Sequence, residues 1–397
     1  MKSLRNLVVY RGIIKNDIIK KYIEISEGLP CPEAQEKYCE FQNMLLEYYS
    51  GYAEEDLWKK YLHQVTCEDE NSFSDLCENR ICIWDGLYEL VVNDMNILLE
   101  NANFNFNEFE QKIHMQGVTL NSVIKKKSEY WKDGAVSTAE YFKNFYTENG
   151  TGIFQSSHVF KITDNGNIKV VANYDKIQFK DLIGYERQIK ALKENTELLL
   201  RGQRSNNVLL YGDRGTGKSS SVKALLNEYK DMGLRVIEMK KNQFRVFPAI
   251  IDAVRNKKHK FIVFIDDLSF EEHETEYKIL KAVLEGSFES KPDNLLIYVT
   301  SNRRHLIKEK FSERDADIHG NETVSEKLSL FDRFGITIYY NQPNDDLYNN
   351  MVKTMAKKTK IDMPEEELMK LANEWKIAKA SKSGRSARQL IDKLVKK

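Results

Sequence analysis

The most informative stretch of this 397-residue sequence is VLLYGDRGTGKS, residues 208–219. Its first four residues are apolar and predict a short buried strand, and its last eight match the pattern G-x-x-x-x-G-K-[ST] in full. A helix is expected to begin at Lys218. A strand, a glycine-rich turn and a helix in this order form a phosphate-binding loop (P-loop), because the glycines let successive backbone N–H groups turn toward one phosphate.

The P-loop supplies most of the predicted nucleotide-binding residues. Lys218 is expected to reach the β- and γ-phosphates of ATP, and the Ser219 hydroxyl is expected to ligate Mg²⁺. The positive end of the helix dipole lies at the same place. The residues assigned to ATP are Gly212, Asp213, Arg214, Gly215, Thr216, Gly217, Lys218, Ser219 and Ser220.

A second motif, KFIVFIDDLSF at residues 260–270, ends an apolar strand with two carboxylates. The carboxyl ends of parallel strands form the ligand-binding edge of an open α/β sheet. We therefore expect Asp266 to hold Mg²⁺ and Asp267 to polarise the attacking water. Glu271 and Glu272 follow closely and are alternatives for the catalytic base.

The region from residue 177 alternates between short apolar strands and helices, which predicts a parallel sheet covered by helices on both faces. After Pro343 the pattern is helical and basic, as expected of a small lid. The predicted fold class is α/β, with a three-layer parallel-sheet P-loop domain and a small C-terminal helical lid, preceded by a mainly helical N-terminal domain. Strands are expected at 208–211, 234–239, 260–266, 294–301 and 336–340, and helices at 185–201, 246–256, 275–285, 345–357, 364–376 and 385–396.

Residues 1–150 contain few glycines and prolines and place apolar residues three or four apart, which predicts a bundle of five or six helices. The first 24 residues are expected to form an amphipathic helix. Two β-rich runs flank Asn165-Gly166 and indicate a hairpin that closes the front domain or bridges it to the next. The predicted domains are a helical domain at 1–150, a hairpin or linker at 151–176, an ATP-binding core at 177–342 and a lid at 343–397.

The composition limits the function classes. Lys plus Arg and Asp plus Glu each number 60, so bulk charge does not hold the protein on nucleic acid or on a membrane. Residues 1–180 carry 20 basic against 27 acidic side chains, and residues 181–397 carry 40 against 33. This charge difference indicates that the two parts bind different partners or bind each other. The five cysteines form no C-x-x-C pair, which indicates thiols in a reducing compartment. No apolar run is long enough to span a bilayer, and we expect a cytoplasmic protein without a membrane partner.

Residues 177–397 resemble the AAA+ division of P-loop ATPases. The combination NNVLLYGDRGTGKSS…FIVFIDDLSFEE…YVTSNRRHL…EKLSLFDRFG resembles a poorly characterised bacterial family of AAA+ ATP-binding proteins that is defined by a domain of unknown function. The resemblance implies ATP and Mg²⁺ as cofactors, ATP hydrolysis, and a head-to-tail homo-oligomer with ATP at the subunit interfaces.

Two catalytic roles come from this resemblance. Asn302, in the segment Thr300-Ser301-Asn302, matches sensor 1 and is implied to orient the lytic water. Arg333, in LFDRF, matches the arginine finger that reaches the γ-phosphate held by a neighbouring subunit. Arg303 and Arg304 are alternatives for the finger.

The resemblance also assigns residues at the two ends of the region. Arg388, in GRSAR at 384–388, matches sensor 2, with Arg385 as the alternative. Ile183 and Gly184, in FKDLIGY at 179–185, match the segment that holds adenine. Asp267 departs from the many members that carry Glu at its position, although initiator and loader-like members also carry Asp-Asp there. The resemblance is therefore compatible with turnover that is slow or depends on assembly.

The predicted function is an ATP-hydrolysing switch whose N-terminal domain binds a protein client that hydrolysis remodels. One alternative is a scaffold that ATP occupancy gates without turnover. Another is a loader-like factor on nucleic-acid complexes, for which the basic runs KKNQFRVFP (240–248) and RNKKHK (255–260) are the only support, although solvated faces explain them as well. The first run lacks the aromatic–hydrophobic–Gly triplet of AAA+ unfoldases, so polypeptide threading is not expected.

Overall fold

The computed structural model describes residues 1–28, 33–50, 55–123, 131–270, 276–285, 292–302 and 330–395. The chain divides into two compact units, Met1–Ser156 and Ser157–Lys397. In the described part of the chain no helix combines the length and the apolar character needed to cross a bilayer.

The unit Met1–Ser156 is helical. Two 3₁₀ segments, Leu4–Asn6 and Arg11–Lys15, come before the α-helices. The α-helices that the structure describes in this unit are α1 (Asp17–Glu27), α2 (Ala34–Tyr48), α3 (Leu57–Glu68), α4 (Ser72–Glu78), α5 (Asp85–Ala102), α6 (Phe106–Lys112), α7 (Leu120–Val123), α8 (Ala135–Asn149) and α9 (Ile153–Ser156).

Aromatic side chains build the core of this unit. Tyr22 stacks on Trp58 with ring centroids 3.9 Å apart, and Phe41 meets Trp58 edge to face at 5.5 Å. Tyr22, Phe41 and Phe142 are fully buried. Aromatic pairs in these geometries add to the stabilisation that comes from burial alone. The aromatic residues that crowd this half of the sequence therefore serve mainly as its core.

The first sixteen residues are not an α-helix, because a distant carboxylate binds their backbone. Asp94 on α5 is fully buried and accepts hydrogen bonds from the N–H groups of Val8, Val9 and Tyr10 at 2.8–3.1 Å. These bonds satisfy amides that a continuous helix would pair internally. The predicted amphipathic helix over the first 24 residues is therefore wrong before Asp17.

The unit Ser157–Lys397 contains a seven-stranded sheet in the order β2-β1-β4-β5-β6-β3-β7. Adjacent strands are parallel except in the β1–β2 hairpin. The α/β fold class is confirmed, and β3 to β7 end within one residue of their predicted bounds. The strands are β1 (Val159–Ile162), β2 (Ile168–Val170), β3 (Val208–Gly212), β4 (Leu234–Glu238), β5 (Lys260–Ile265), β6 (Leu295–Ser301) and β7 (Ile336–Tyr340).

The predicted hairpin around Asn165-Gly166 is present, but it is part of the sheet and not a linker. β1 pairs in parallel with β4, with Val159 opposite Val236. The hairpin thus forms one edge of the sheet, and the sheet unit begins well before residue 177.

The helices of this unit pack beside the sheet and, after the last strand, form a small helical lid. Before the last strand, the α-helices in the described residues of this unit are α10 (Glu186–Leu200), α11 (Lys218–Tyr229), α12 (Phe247–Val254) and α13 (Glu276–Glu285). Three more follow β7, namely α14 (Asp345–Lys358), α15 (Glu365–Lys379) and α16 (Gly384–Val395). The last three contact one another, and Trp375 Nε1 on α15 donates to the carbonyl of Ser386 on α16 at 3.1 Å. They form the lid that the sequence predicted.

Candidate nucleotide-binding site

A cavity of about 600 Å³ lies at the carboxyl ends of β3, β5 and β6. The P-loop, the acidic pair, the end of β6, the segment before α10 and the lid all contribute to its wall. The lining residues are Asp175, Ile177, Asp181, Leu182, Ile183, Tyr185, Arg214, Gly215, Thr216, Gly217, Lys218, Ser219, Ser220, Asp266, Asp267, Thr300, Asn302, Met351, Met355, Gly384, Arg385 and Arg388. The structure therefore brings together most of the site residues that the sequence predicted.

Two glycines permit the path of the P-loop. Gly217 caps α11 in the left-handed conformation, with φ at +99°. Gly212 ends β3 with φ at +131°, and a Cβ there would lie 2.1 Å from the carbonyl oxygen of Tyr340 on β7. Only glycine fits both positions without strain. The turn between β3 and α11 can therefore keep its backbone close to the neighbouring strand.

The ammonium group of Lys218 lies inside this turn. Its side chain is buried, and Nζ donates to the carbonyls of Gly212 at 2.8 Å and Asp213 at 2.7 Å and to Oδ1 of Asn302 at 3.1 Å. Burial lowers the pKa of Lys218, and the charges of Asp213 and Asp267 act against that shift. A cation in this position is available to phosphate oxygens.

Ser219 and Asp266 present oxygen atoms at one point of the cavity. Ser219 Oγ donates to Asp266 Oδ1 at 2.5 Å, although the two residues are 47 apart in the sequence. Hydroxyl and carboxylate oxygens are the ligands that Mg²⁺ prefers, usually together with phosphate oxygens. The pair therefore fits a magnesium ion that is bound with a nucleotide.

Asp267 has an unusual backbone conformation. Its φ is +51°, which is uncommon for a residue other than glycine and indicates local strain. Its N–H donates to Thr300 Oγ1 at 2.8 Å, and its carboxylate accepts a hydrogen bond from Asn302 Nδ2. Asn302 thus contacts both the P-loop lysine and the second carboxylate.

The lid meets the P-loop at the start of α16. The N–H of Arg385 donates to the carbonyl of Gly215 at 3.3 Å, and Arg385 and Arg388 both line the cavity. The structure brings both sensor 2 candidates to the site, so Arg388 and its alternative stay open. On α14, Met351 and Met355 add an apolar wall that the sequence analysis missed. Their spacing of four on a predicted helix is the signal that could have found them.

Three predicted nucleotide-binding residues do not line the cavity. Gly184, with φ at +85°, lies so close to Leu347 of α14 that a Cβ would be 2.2 Å from its Cδ1. Asp213 donates its N–H to Tyr340 and accepts a hydrogen bond from Gln342 N–H at 2.9 Å through its carboxylate. The carbonyl of Gly212 accepts a hydrogen bond from Lys218 Nζ. These residues shape the site from outside its wall.

Arg333 is exposed, follows the helical residues 330–332, and is not among the residues that line the cavity of its own chain. The alternatives Arg303, Arg304, Glu271 and Glu272 lie outside the described residues.

The fold and this site define an α/β protein with a phosphate-binding P-loop at the carboxyl edge of its sheet. Residues 155–397 match the model of a family described as "Protein of unknown function (DUF815)". That match covers more than half of the chain, and the chain belongs to this family. No curated protein matches the chain.

Solved structures are similar to about half of this chain. The Thermotoga maritima RuvB Holliday junction branch migration motor is 16% identical with a TM-score of 0.38, over 54% of this chain and 63% of that one. The FIGL-1 AAA domain in complex with ADP is 20% identical with a TM-score of 0.34, over 51% of this chain and 68% of that one. The chain thus spans less than two thirds of the RuvB structure.

Proposed function

We propose that this protein hydrolyses ATP with Mg²⁺ and that hydrolysis changes its conformation or remodels a bound partner. The observation that carries the proposal is the side-chain network of one cavity, in which Asn302 bonds to both Lys218 and Asp267 while Ser219 bonds to Asp266. A phosphate-binding cation, a pair of metal-binding oxygens and a second carboxylate are the groups that nucleotide hydrolysis needs.

Each residue has a stated task in this proposal. Lys218 binds the β- and γ-phosphates, and Ser219 and Asp266 hold Mg²⁺. The bound ion neutralises charge on the phosphate oxygens. Asp267 orients the attacking water and accepts its proton, and Asn302 holds that carboxylate in place.

The lid and the segment before α10 complete the nucleotide site in this proposal. Arg388 contacts the phosphates from α16. Ile183 and the two methionines of α14 pack against adenine, because flat apolar rings favour contact with polarisable side chains. Gly184 lets α14 approach this segment closely.

We further propose that turnover depends on assembly. The exposure of Arg333, away from the cavity of its own chain, supports a role at the cavity of a neighbouring subunit. A head-to-tail homo-oligomer would then place ATP between subunits. The helical unit Met1–Ser156 would hold a protein client, and the cytoplasm would be the site of action.

The deciding experiment measures Mg²⁺-ATP hydrolysis against protein concentration for the wild type and for Arg333→Ala. Arg201→Ala is the matched control, because Arg201 is an exposed arginine that directly follows α10 and pairs with Glu197. Specific activity should rise with concentration in the wild type and in the control. Arg333→Ala should lose roughly 10³-fold of the activity and keep its ATP affinity.

Two other outcomes would replace the proposal. Tight ATP binding without turnover at any concentration would favour a scaffold that ATP occupancy gates. Turnover that single-stranded or duplex DNA stimulates, and that salt suppresses, would favour a loader-like factor. Full activity in Arg333→Ala would remove the trans role of this residue.

A further inference from the structure

Thr300, at the carboxyl end of β6, makes two hydrogen bonds with one hydroxyl. Its side chain is 1% exposed. Oγ1 donates to Asp266 Oδ1 at 2.5 Å and accepts the N–H of Asp267 at 2.8 Å. A hydroxyl has one proton and two lone pairs, so a single rotamer serves both partners. The metal-binding carboxylate and the backbone of the next residue are therefore fixed by the same atom.

The main chain of Thr300 extends this contact. Its carbonyl accepts the N–H of Leu268 at 2.8 Å, so Thr300 binds two successive amides of the segment that follows β5. Between those amides lies the residue with φ at +51°, Asp267. A strained conformation persists only where the surroundings hold it, and Thr300 supplies that hold. The backbone conformation of Asp267 then directs its carboxylate toward Asn302.

We propose that Thr300 is a positioning residue for the acidic pair: its hydroxyl fixes Asp266 for Mg²⁺ and fixes the turn that carries Asp267. This inference rests on the proposed function. Without the hydroxyl, Asp266 Oδ1 keeps the hydrogen bond from Ser219 but loses the one from Thr300, and the Asp267 amide loses its acceptor. Groups that hydrogen-bond to a metal ligand commonly set metal affinity by 10- to 100-fold, roughly, although they never touch the metal.

The test uses the full chain and follows the binding of a fluorescent ATP analogue, first in EDTA and then during a Mg²⁺ titration. Thr300→Val removes the hydroxyl at nearly constant shape, and Thr300→Ser keeps it. Thr300→Ala is a second truncation that cannot crowd the site. Thr196→Val is the matched control, because Thr196 is a fully buried threonine whose hydroxyl bonds to the Leu192 carbonyl at 2.8 Å and to Tyr298.

The proposal expects the affinity in EDTA to stay within about twofold of wild type in all variants that fold, since Lys218 and the P-loop are unchanged. The Mg²⁺ concentration that gives half of the total change in analogue binding should rise about tenfold or more in the Val and Ala variants. It should stay near the wild-type value in the Ser variant and in Thr196→Val. An unchanged Mg²⁺ midpoint in either truncation, or an equal shift in the Ser variant, would overturn it.

The binding readout separates this inference from the ATPase proposal. A wild-type protein that binds Mg²⁺-nucleotide but does not turn it over would refute hydrolysis. The Mg²⁺ dependence of nucleotide binding could still be compared among the Thr300 variants. A wild type whose nucleotide affinity does not respond to Mg²⁺ at all would overturn the positioning role directly.

Discussion

Lys218 Nζ lies 3.1 Å from Asn302 Oδ1, which joins the first turn of α11 to the end of β6 across 84 residues of sequence. The same ammonium donates to two carbonyls of the P-loop, so each of its three N–H groups has an oxygen acceptor within the chain. A phosphate that binds here exchanges with one of these acceptors. Because Asn302 also contacts Asp267, that exchange is linked to the position of the second carboxylate.

Lys218→Ala is expected to weaken ATP binding. The change removes the buried cation from the phosphate site, and hydrogen bonds to charged groups are each worth about 1.5–3 kcal/mol, or roughly 10- to 100-fold in affinity. Titration calorimetry with ATP measures the effect. Lys190→Ala, at an exposed lysine of α10 near Glu194, is the control and should bind as the wild type does. Equal affinity in the two variants would speak against a phosphate contact by Lys218.

Mixing two inactive variants should restore hydrolysis if Arg333 acts between subunits. Arg333→Ala retains a complete cavity, and Lys218→Ala retains the arginine. A mixed assembly then contains some interfaces in which an intact cavity faces an intact arginine. With random mixing of equal amounts, about a quarter of the interfaces combine both, so activity near a quarter of wild type is expected, and a mixture as inactive as its components would contradict the trans arrangement.

Gly212→Ala should destabilise the sheet unit much more than Gly202→Ala. Both glycines have positive φ, +131° and +68°, but a Cβ at Gly202 meets no atom within 4 Å, whereas one at Gly212 would strike the Tyr340 carbonyl. Alanine at Gly202 should cost about 1–2 kcal/mol in free energy of unfolding through backbone conformation alone. Alanine at Gly212 should cost at least about 3 kcal/mol. Urea unfolding of both variants compares the costs, and similar values would show that β7 can move away.

His259 should make the sheet unit less stable in acid. This histidine is buried, and its Nε2 accepts a hydrogen bond from Arg235 Nη2 at 2.9 Å. Burial first, and then the charge of Arg235, lowers the pKa of His259 from 6.5 to about 3. The unfolded chain therefore binds a proton between pH 6.5 and 3 that the folded chain does not, so stability is full above pH 6.5 and falls as the pH decreases through this window.

The matching variant is His259→Gln, which keeps an acceptor for Arg235 and cannot titrate. Between pH 5.5 and 4 the free energy of unfolding should fall less steeply than in the wild type, by about 1.4 kcal/mol per pH unit. His63, whose pKa burial lowers to about 4, is present in both proteins and cancels in the comparison. If the free energy of unfolding fell equally steeply with pH in the two proteins, His259 would not be the group responsible.

Local patterns explain which parts of the site could be predicted from the sequence. The P-loop and the acidic pair that follows β5 have short motifs whose chemistry follows from adjacent residues, and both lie at one cavity. The contacts of Thr300 could not be found in this way, because its two partners follow another strand and only the pairing of β5 with β6 brings them near. The spacing of Met351 and Met355 places them on one face of a predicted helix, but the packing of the lid decides that this face lines the cavity.

The fold shows the same division. Strands β3 to β7 were predicted because continuous apolar runs mark buried parallel strands. The pairing of β1 with β4 joins Val159 to Val236, and nothing local to either strand indicates it. At the N-terminus, periodicity predicted a helix, but the buried carboxylate of Asp94 binds the backbone of residues 8–10 instead. Tertiary contacts outweighed local propensity at the N-terminus, and at the hairpin they added a pairing that local propensity does not specify.

The hairpin at the edge of the sheet has a practical consequence for truncation. A shortened chain that starts at residue 177, where the motifs alone would place the beginning of the nucleotide-binding core, lacks β1 and β2 and leaves β4 as an unpaired edge strand beside β5. Exposed strand edges pair with other chains and promote aggregation. A fragment intended for expression by itself should therefore start before Val159, at the Ser157 boundary of the compact unit.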